Sequence, residues 1–577
     1  MTQPLMKGQK RLRLVMTLFL GCFVAIGVKL STLAIYAPEP SAPARGEEVA
    51  RIPRPAIVDR NGEVLATDMR IPALYADPRK IIDVDEAVEL LTATLPELNS
   101  GEIRRKLNQK RAFVWLKREL TEKQRDLVHN LGIPGLYFRQ EIKRIYPKGK
   151  LAAHVLGYTD VDSRGLAGIE KYLDGQGALF KASLAEPNAE KASPAQLSID
   201  VRVQHALTDE LNSAMALYKA VAAAGIVMDV HTGEVVAAVS LPDYSPNDPR
   251  DAQKPEYLNR FTGGAFELGS VVKAVTFAMA LDAGTANLDT TYDVRFPISV
   301  GRSKIDDFHP ERRTLTLPEV FTYSSNIGTV KMALDVGQKG HEAFLRKIGF
   351  YDKLRTEIPE AAGPILPQRF TRVSSMTVSF GHGISIEPMQ LVAVAGGLIN
   401  GGMMIEPTFL KRSAEDAAVF ARPIISPETS EKMRYLFRLN ATNGTGAKAD
   451  VPGYRVGGKT GTAEKVVNGS YSGDARLNSY LAAFPMENPR YITLVLLDEP
   501  KPTPDSHGYA TAGWNVVPTS GRLIARIAPI LGIQPELTLA EQEKLAKEDA
   551  KEAERLALEE EKRAAAALQE ASAVQGN

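Results

Sequence analysis

Cysteine is almost absent from this sequence. The one cysteine, Cys22, lies in an apolar run near the N-terminus, so the rest of the chain has no thiol. That part of the chain therefore cannot form a disulfide, a thiol-based zinc site or a cysteine nucleophile. An excess of charge of one sign is also lacking, because 70 basic residues offset 69 acidic ones. The formal net charge of +1 gives no reason to expect a nucleic acid or another polyanion as a partner.

The N-terminal region has the features of a membrane anchor. An apolar stretch covers residues 14–36, interrupted by Lys29, and a run of about 20 apolar residues suits a membrane-spanning helix. Four basic residues precede it: Lys7, Lys10, Arg11 and Arg13. Basic residues on this side predict that residues 1–13 form a cytoplasmic tail and that the rest of the chain lies outside the membrane.

A cleaved signal peptide is the alternative to an anchor. Ala42-Pro43-Ala44 offers a small-residue cleavage site, but the apolar core of a signal peptide usually has only about 7–15 residues. Several prolines follow the apolar stretch, so residues 37–55 are predicted to form an extended linker. We favour the anchor.

Two domains are predicted beyond the linker, since 577 residues are enough for more than one hydrophobic core. The first, at residues 56–190, opens with two apolar segments around Asn61-Gly62, a pair that favours a β-hairpin. Residues 80–135 have helical periodicity. This half contains no catalytic constellation, and we interpret it as a positioning or interaction module.

The second domain, at residues 195–536, is predicted to have an α+β fold. Helices are expected at residues 204–218, 271–283 and 317–334, and strands at residues 225–230, 234–240, 480–484 and 491–497. Strands at both ends of a domain suggest a sheet whose termini pair around central helices. Residues 537–577 are rich in Ala, Glu and Lys, and we expect a solvated helix or a disordered tail there.

Ser270-Val-Val-Lys273 is the first of three motifs that carry chemistry. Ser270 begins a run without helix breakers, which places it in the first turn of a helix with Lys273 on the same face. A serine hydroxyl becomes a nucleophile when a base removes its proton, and a buried lysine with a lowered pKa can serve as that base. Alone the motif is weak, because a capping serine on a surface helix gives the same pattern.

Ser324-Ser-Asn326 is the second motif, at the start of an apolar helical run. A helix cap explains this motif when it is considered alone. Beside the first motif, the Ser324 hydroxyl becomes a candidate proton shuttle, and the Asn326 amide becomes a candidate to hold a peptide group of the substrate.

Lys459-Thr460-Gly461 is the third motif, on a predicted strand edge where glycines let an extended peptide approach. Lys459 supplies a positive charge, and the hydroxyls of Thr460 and Thr462 can bind a substrate carboxylate. A glycine turn between strands is the alternative for this motif alone. The three motifs in this order together predict acyl transfer through a serine ester.

The trio resembles that of the penicillin-binding proteins and serine β-lactamases. Most of the chain shares the resemblance. Residues 58–66 and Gly168-Ile-Glu170 are similar to the non-catalytic module of class B penicillin-binding proteins, and Gly381-His-Gly-Ile-Ser385, Asn400-Gly-Gly402 and residues 458–463 are similar to their transpeptidase domain. Tyr323-Ser-Ser-Asn-Ile-Gly328 is most similar to the division-specific D,D-transpeptidases of the FtsI type.

This resemblance implies a transpeptidase domain with an antiparallel sheet and helices, and a stem peptide ending in D-Ala-D-Ala as the substrate. The implied catalytic residues are Ser270, Lys273, Ser324, Asn326 and Lys459, and the implied substrate-binding residues are Thr460, Gly461 and Thr462. Backbone N–H groups of Ser270 and Thr462 would form the oxyanion hole. No metal and no cofactor are expected, and β-lactams would acylate the serine.

The resemblance also implies a place in the cell and partners. We expect a single-pass protein of the cytoplasmic (inner) membrane, with the catalytic domain outside, in the periplasm, at the division septum. The expected partners are a glycan polymerase of the FtsW type and other division proteins, met through the membrane helix and the N-terminal module.

Two departures from the family pattern do not remove a functional group. Leu268 stands where a proline commonly precedes the Gly-Ser pair, and Pro55-Ala56 replaces the usual glycine before the Asn-Gly hairpin. His382 has no partner residues at metal-ligand spacing, and the lysines already fill the role of base. We therefore interpret His382 as a structural or pocket-lining residue.

Several alternative functions share these motifs. A β-lactamase would need an efficient deacylating base and no N-terminal module. A D,D-carboxypeptidase differs only in using water as the acceptor, and an elongation-specific transpeptidase differs around the second motif. A β-lactam-binding scaffold of the division machinery would not need all three motifs intact. A sensor would need a cytoplasmic signalling domain, but only about a dozen residues precede the helix.

Overall fold

The computed structural model describes residues 16–17, 19–26, 54–175, 193–301, 303–467 and 470–543, with a few short stretches after them. The predicted cytoplasmic tail, most of the predicted membrane helix and linker, and most of the C-terminal tail lie outside these residues. In the described part of the chain, no helix is both long and apolar enough to cross a bilayer. Residues 1–52 form one unit and the rest of the chain another, and the description below concerns the second.

An N-terminal module is built on a small sheet in which β1 and β2 form the hairpin predicted at Asn61-Gly62. Gly62 has a φ of +91°, a backbone conformation that favours glycine. The strands are β1 (Ile57–Val58), β2 (Val64–Ala76), β3 (Val114–Lys117), β4 (Leu136–Ile145) and β5 (Ala195–Gln196). The helices are α1 (Val84–Thr94), α2 (Ser100–Leu107), α3 (Glu122–His129), α4 (Ala153–Leu156) and α5 (Gly168–Gly175).

Helical periodicity over residues 80–135 predicted three of these helices but missed β3. In β3 the side chains of Val114 and Leu116 are buried, and those of Trp115 and Lys117 are half-buried. This alternation with period two is that of a strand. It covers only four residues, which is too short to stand out within a helical window.

A buried ion-pair network fixes the start of the N-terminal module. Glu170, fully buried on α5, accepts hydrogen bonds from Arg54 Nε at 2.8 Å and Arg144 Nε at 2.7 Å. Arg144 also pairs with Asp68, and Arg54 with Asp174. A buried charge destabilises the folded state unless a charge of opposite sign lies beside it, and each charge of this network has such a partner. The network ties residue 54, where the described chain begins again, to β2, β4 and α5.

The second domain contains a main antiparallel sheet of five strands: β6 (Ala222–Asp229), β7 (Val235–Leu241), β14 (Gly457–Val467), β15 (Ser470–Phe484) and β16 (Tyr491–Asp498). Their order across the sheet is β14-β15-β16-β6-β7. Early and late strands pair directly, since β16 lies beside β6. The prediction of an α+β sheet whose termini pair is confirmed.

Both faces of this sheet are covered by helices, which explains its almost continuous apolar strands. On β16, Ile492, Leu494 and Leu496 belong to the core on one face. Val495 and Leu497 belong to a second core, which includes α6 (Val201–Tyr218) and α15 (Val516–Ile530). Side chains that alternate along a strand thus supply two separate cores.

The segment between β7 and β14 is mainly helical and forms the first core together with the sheet. Its helices are α7 (Lys273–Asp282), α8 (Leu317–Thr322), α9 (Asn326–Val336), α10 (Gln338–Lys347), α11 (Arg372–Ser379), α12 (Pro388–Ile399), α13 (Ala414–Val419) and α14 (Pro427–Asn443). Short strands join them: β8 (Thr291–Asp293), β9 (Ile298–Val300), β10 (Ser303–Ile305), β11 (Thr314–Thr316), β12 (Met403–Ile405) and β13 (Ala421–Pro423).

The single helix predicted at residues 317–334 is wrong, because the second motif divides it into α8 and α9. Ser324, between the two helices, has a φ of +57°, which no residue inside a right-handed helix adopts. Ser325 then caps α9, since its side chain accepts a hydrogen bond from Gly328 N at 3.0 Å. The polar residues at the break provide both the turn and the new helix start.

The two modules are joined by more than the covalent chain. Strand β1 pairs in parallel with β5, at the start of the catalytic domain. Asp59, in the hairpin turn, accepts from Val201 N at 3.1 Å, and Arg60 forms an ion pair with Glu234 at 2.9 Å. The hairpin therefore docks directly onto the domain that contains the three motifs.

Candidate active site

Ser270 lies in a single 3₁₀ turn, Gly269–Val272, that continues directly into α7. Lys273 follows one turn later, as the spacing of the first motif predicted. The Ser270 side chain is half-buried, and its hydroxyl makes no hydrogen bond to a described residue. Lys273 is fully buried, because nearly every residue of α7 faces the core. The turn thus presents a serine hydroxyl at the end of an apolar helix.

Two buried lysines from different motifs meet at one serine hydroxyl. Lys273 Nζ donates to Ser324 Oγ at 3.1 Å and also to the Ser324 carbonyl oxygen. Lys459 Nζ donates to the same Ser324 Oγ at 2.9 Å. Both lysines have no exposed surface. A hydroxyl that accepts two hydrogen bonds uses both lone pairs, so its own proton is left to point elsewhere in the site.

Burial changes the protonation of both lysines. Loss of solvation lowers the pKa of Lys273 to about 7, although the carboxylate of Asp307 opposes this shift. Burial and the charge of Lys273 lower the pKa of Lys459 well below its usual value. Near neutral pH the pair therefore offers a neutral amine, which is the form that can accept a proton from a hydroxyl.

Asp307 positions the second motif and was not predicted from the sequence. Its Oδ2 accepts from the Ser325 hydroxyl at 2.7 Å, and its Oδ1 accepts from Ile327 N at 2.9 Å. The carboxylate is almost completely buried at the N-terminus of α9, where a negative charge is favourable. The local sequence carries no signal for this role, because Asp307 comes from a loop between β10 and β11.

The amide of Asn326 already has one protein partner. Its side-chain nitrogen donates to the Asp306 carbonyl oxygen at 2.8 Å. This bond orients the amide at the first residue of α9 and uses one of its two N–H groups. The second N–H and the amide oxygen are the groups that a peptide could bind.

Strand β14 carries the third motif at the edge of the sheet, since its described residues pair only with β15. Lys459 extends from it into the core, as described above. Thr460 Oγ1 forms a hydrogen bond with Thr445 Oγ1 at 2.7 Å, and Thr462 Oγ1 accepts from Ala512 N at 3.3 Å. Thr445 was not singled out in the sequence. A strand at a sheet edge can accept one more extended chain.

Close packing of glycines brings the turn Gly269–Val272, which contains Ser270 and is called the nucleophile turn below, against strand β14. A Cβ on Gly461 would lie 2.4 Å from the Leu268 oxygen, and a Cβ on Gly269 would lie 2.8 Å from the Thr462 oxygen. Neither position has room for a side chain. The backbones of residues 268–270 and 461–462 are therefore in direct contact, and the first and third motifs form one site.

Leu268 and His382, singled out for other reasons, also lie in this region. Leu268 is fully buried, and its carbonyl oxygen accepts from Ser479 Oγ at 3.1 Å. The ring of His382 packs against Phe380, with 5.0 Å between centroids, and against Tyr471, at 5.6 Å. Burial lowers the pKa of His382, and the charge of Lys273 contributes to the lowering. His382 lies near the site because it follows Gly381, whose added Cβ would lie 2.1 Å from the Gly269 oxygen.

Comparison with protein families gives two matches. Residues 223–515 match the penicillin binding protein transpeptidase domain, and residues 50–176 match the penicillin-binding protein dimerisation domain. The first range contains all three motifs, and the second contains the hairpin and the ion-pair network.

Similar curated proteins cover nearly the whole chain. A probable peptidoglycan D,D-transpeptidase FtsI of Caulobacter vibrioides is 39% identical over 541 residues, which are 92% of this chain and 90% of that protein. A probable peptidoglycan D,D-transpeptidase PenA of Neisseria gonorrhoeae is 31% identical over 90% of this chain and 92% of that protein. The peptidoglycan D,D-transpeptidase FtsI of Escherichia coli K12 is 28% identical over 84% of each.

Proposed function

The chain belongs to the class B penicillin-binding proteins of the FtsI type, and from this membership we infer that it is a peptidoglycan D,D-transpeptidase. The observation that carries the proposal is the meeting of two buried lysines at Ser324 Oγ, since one of them, Lys273, follows Ser270 by one helical turn. This arrangement can remove a proton from a serine and return it to a leaving group. The substrate we propose is a stem peptide that ends in D-Ala-D-Ala.

In the acylation step, Ser270 Oγ attacks the carbonyl carbon of the penultimate D-Ala. Neutral Lys273 takes the serine proton, a role supported by its pKa of about 7. The donor peptide would lie along the edge of β14, where Thr460 and Thr462 bind its terminal carboxylate. Backbone N–H groups of Ser270 and Thr462 would stabilise the oxyanion, because the two backbone segments are in contact.

Departure of the terminal D-Ala requires a proton on its nitrogen. Ser324 is suited to deliver it, since its Oγ accepts hydrogen bonds from both lysines and keeps its own proton available. An amine of a second stem peptide then attacks the Ser270 ester and closes the cross-link. A β-lactam would follow the same first step and leave the serine acylated.

We place the cross-linking at the division septum because the relatives include proteins named FtsI. Residues 14–36 would anchor the chain in the inner membrane, with the N-terminus in the cytoplasm and residues 195–536 in the periplasm as the catalytic domain. The membrane helix and the module at residues 56–190 would contact a polymerase of the FtsW type and other division proteins.

Labelling with a fluorescent penicillin tests the acyl-enzyme. The wild type should be labelled covalently, and Ser270→Ala should not, because Ser270 supplies the only hydroxyl of the turn Gly269–Val272 that leads into α7. Ser100→Ala, which removes an exposed hydroxyl in the N-terminal module, is the matched control and should be labelled like the wild type. Labelling of Ser270→Ala would refute the assigned nucleophile.

A second assay separates a transpeptidase from a carboxypeptidase. With lipid-linked precursor and a glycan polymerase, a transpeptidase forms cross-linked dimers of stem peptides, whereas a carboxypeptidase releases D-Ala without dimers. We expect dimers from the wild type and none from Ser270→Ala. Survival of dividing cells on Ser270→Ala would instead favour a scaffold role.

A further inference from the structure

Glu267 is a half-buried carboxylate beside the nucleophile turn, and it has no cationic partner in the described part of the chain. Its Oε1 accepts from Gly383 N at 2.9 Å and from the Tyr471 hydroxyl at 3.2 Å. Among the residues that the structure describes, no lysine, arginine or histidine nitrogen lies within 4.0 Å of this carboxylate. It precedes Ser270 by three positions in the chain. A carboxylate held in this way, with its charge unbalanced, attracts a cation to the site.

His382 directly precedes Gly383, which donates to this carboxylate, and its ring packs against that of Tyr471, whose hydroxyl donates to the same carboxylate. Its Nδ1 is buried and forms no hydrogen bond to any described residue. The loop that contains it is fixed against the nucleophile turn, since a Cβ on Gly381 would lie 2.1 Å from the Gly269 oxygen. A buried ring nitrogen without a partner is a donor or acceptor that a ligand can satisfy.

We propose that Glu267 and His382 bind the acceptor amine of the second stem peptide and prepare it for attack on the Ser270 ester. The inference rests on the proposed function and adds the acceptor side of the site, which the three motifs leave unassigned. An acceptor that arrives as an ammonium ion supplies the positive charge that Glu267 lacks. Water brings no such charge, so the same pair would favour transfer to an amine over hydrolysis.

Side chains of the site can account for every proton in this step. The acceptor arrives as R–NH3⁺, and the imidazole of His382 takes one proton to give R–NH2. The nitrogen then forms a bond to the ester carbonyl carbon, and the bond from that carbon to Ser270 Oγ breaks. The second nitrogen proton passes to Ser270 Oγ through Ser324 and the lysines. His382 returns its proton to the solvent.

The charges around His382 are compatible with this role. Glu267 from the segment before Ser270 and Glu464 from β14 raise its pKa, whereas burial and Lys273 from α7 lower it. The lowering is the larger effect, so the ring is neutral at neutral pH and can accept a proton. Tyr471 on β15 packs against the ring, and burial raises the pKa of its phenol to about 12, so it stays uncharged.

The test measures how the acyl-enzyme divides between an amine and water. A thioester of a stem peptide serves as donor, D-alanine serves as amine acceptor, and both products are counted in one reaction. Glu267→Gln should lower the ratio of aminolysis to hydrolysis about tenfold, the effect of losing one hydrogen-bonded charge. Asp474→Asn removes an exposed carboxylate from β15, the strand that carries Tyr471, and should change the ratio less than about twofold.

Further variants separate recognition of the amine from a structural role. Glu267→Asp keeps the charge and should restore most of the ratio. His382→Asn should lower aminolysis at pH 7 more than at pH 9, where more of the acceptor is already deprotonated. An equal loss of penicillin labelling, hydrolysis and aminolysis in Glu267→Gln, or an unchanged ratio, would overturn the inference. Absence of penicillin labelling in the wild type would instead refute the proposed function.

Discussion

Alanine at position 461 should almost abolish acylation of Ser270 while leaving the protein folded. The new Cβ would lie 2.3 Å from Ser479 Oγ and 2.4 Å from the Leu268 oxygen, whereas ordinary contacts begin at 3.4 Å. The Ser479 hydroxyl can rotate away, but the Leu268 oxygen belongs to the backbone. Strand β14 and the nucleophile turn must therefore separate by about 1 Å, and a misplacement of that size costs about 100-fold in rate, or about 2.7 kcal/mol.

The second-order rate constant for acylation by a fluorescent penicillin measures this loss. Gly473→Ala is the matched control on the same hairpin, because its Cβ would meet nothing closer than Glu464 Oε1 at 4.0 Å. The control should acylate at the rate of the wild type, and thermal unfolding should show that both variants fold. If Gly461→Ala reacts within about threefold of the wild type, the contact between the first and third motifs does not control catalysis.

Acylation should also depend on pH. Its rate should rise as the pH rises through about 7, because burial lowers the pKa of Lys273 to about 7 and only the neutral amine accepts the serine proton. In the wild type, the carboxylate of Asp307 raises the pKa of Lys273. In Asp307→Asn this effect is lost, so the midpoint of the rise should move to lower pH, and an unchanged midpoint would contradict the assignment of Lys273 as the base. Glu170→Ala should lower the free energy of unfolding by about 3–5 kcal/mol, because it removes the one fully buried carboxylate that two buried arginines share and leaves each of them with only a partly exposed partner. Asp85→Ala breaks an exposed ion pair and should lower the free energy of unfolding by less than about 1 kcal/mol. If calorimetry shows that Asp85→Ala and Glu170→Ala destabilise the protein equally, burial of the ion pair does not determine its contribution.

Local patterns were sufficient to predict the parts of the site that depend on helix geometry. The spacing of Ser270 and Lys273 corresponds to one helical turn, and the structure shows that turn. The apolar runs near residues 225–240 and 480–497 predicted the strands of the main sheet, including the pairing of its termini. These patterns can be recognised in the sequence because each depends on residues that are close together in the chain.

Contacts between distant residues were out of reach. Asp307 touches Ser325 and Ile327 only because a loop returns to the start of α9. The break at Ser324 was missed because apolar residues on both sides continue the helical pattern, while the left-handed backbone is imposed by the packing around it. Glu267 likewise accepts its hydrogen bonds from Gly383 and Tyr471, which lie more than 100 residues away in the chain. Tertiary structure gives these residues their roles.

The pairing of β1 with β5 couples the two modules mechanically. Tension on the chain at Arg54 would pass through the Glu170 network to β1, and from β1 across its hydrogen bonds to β5. Arg60 carries part of that load to Glu234, which directly precedes strand β7 of the catalytic sheet. A pull or a twist applied to the N-terminal module would therefore reach the sheet that holds the third motif. The N-terminal module can therefore transmit force to the catalytic domain as well as support it.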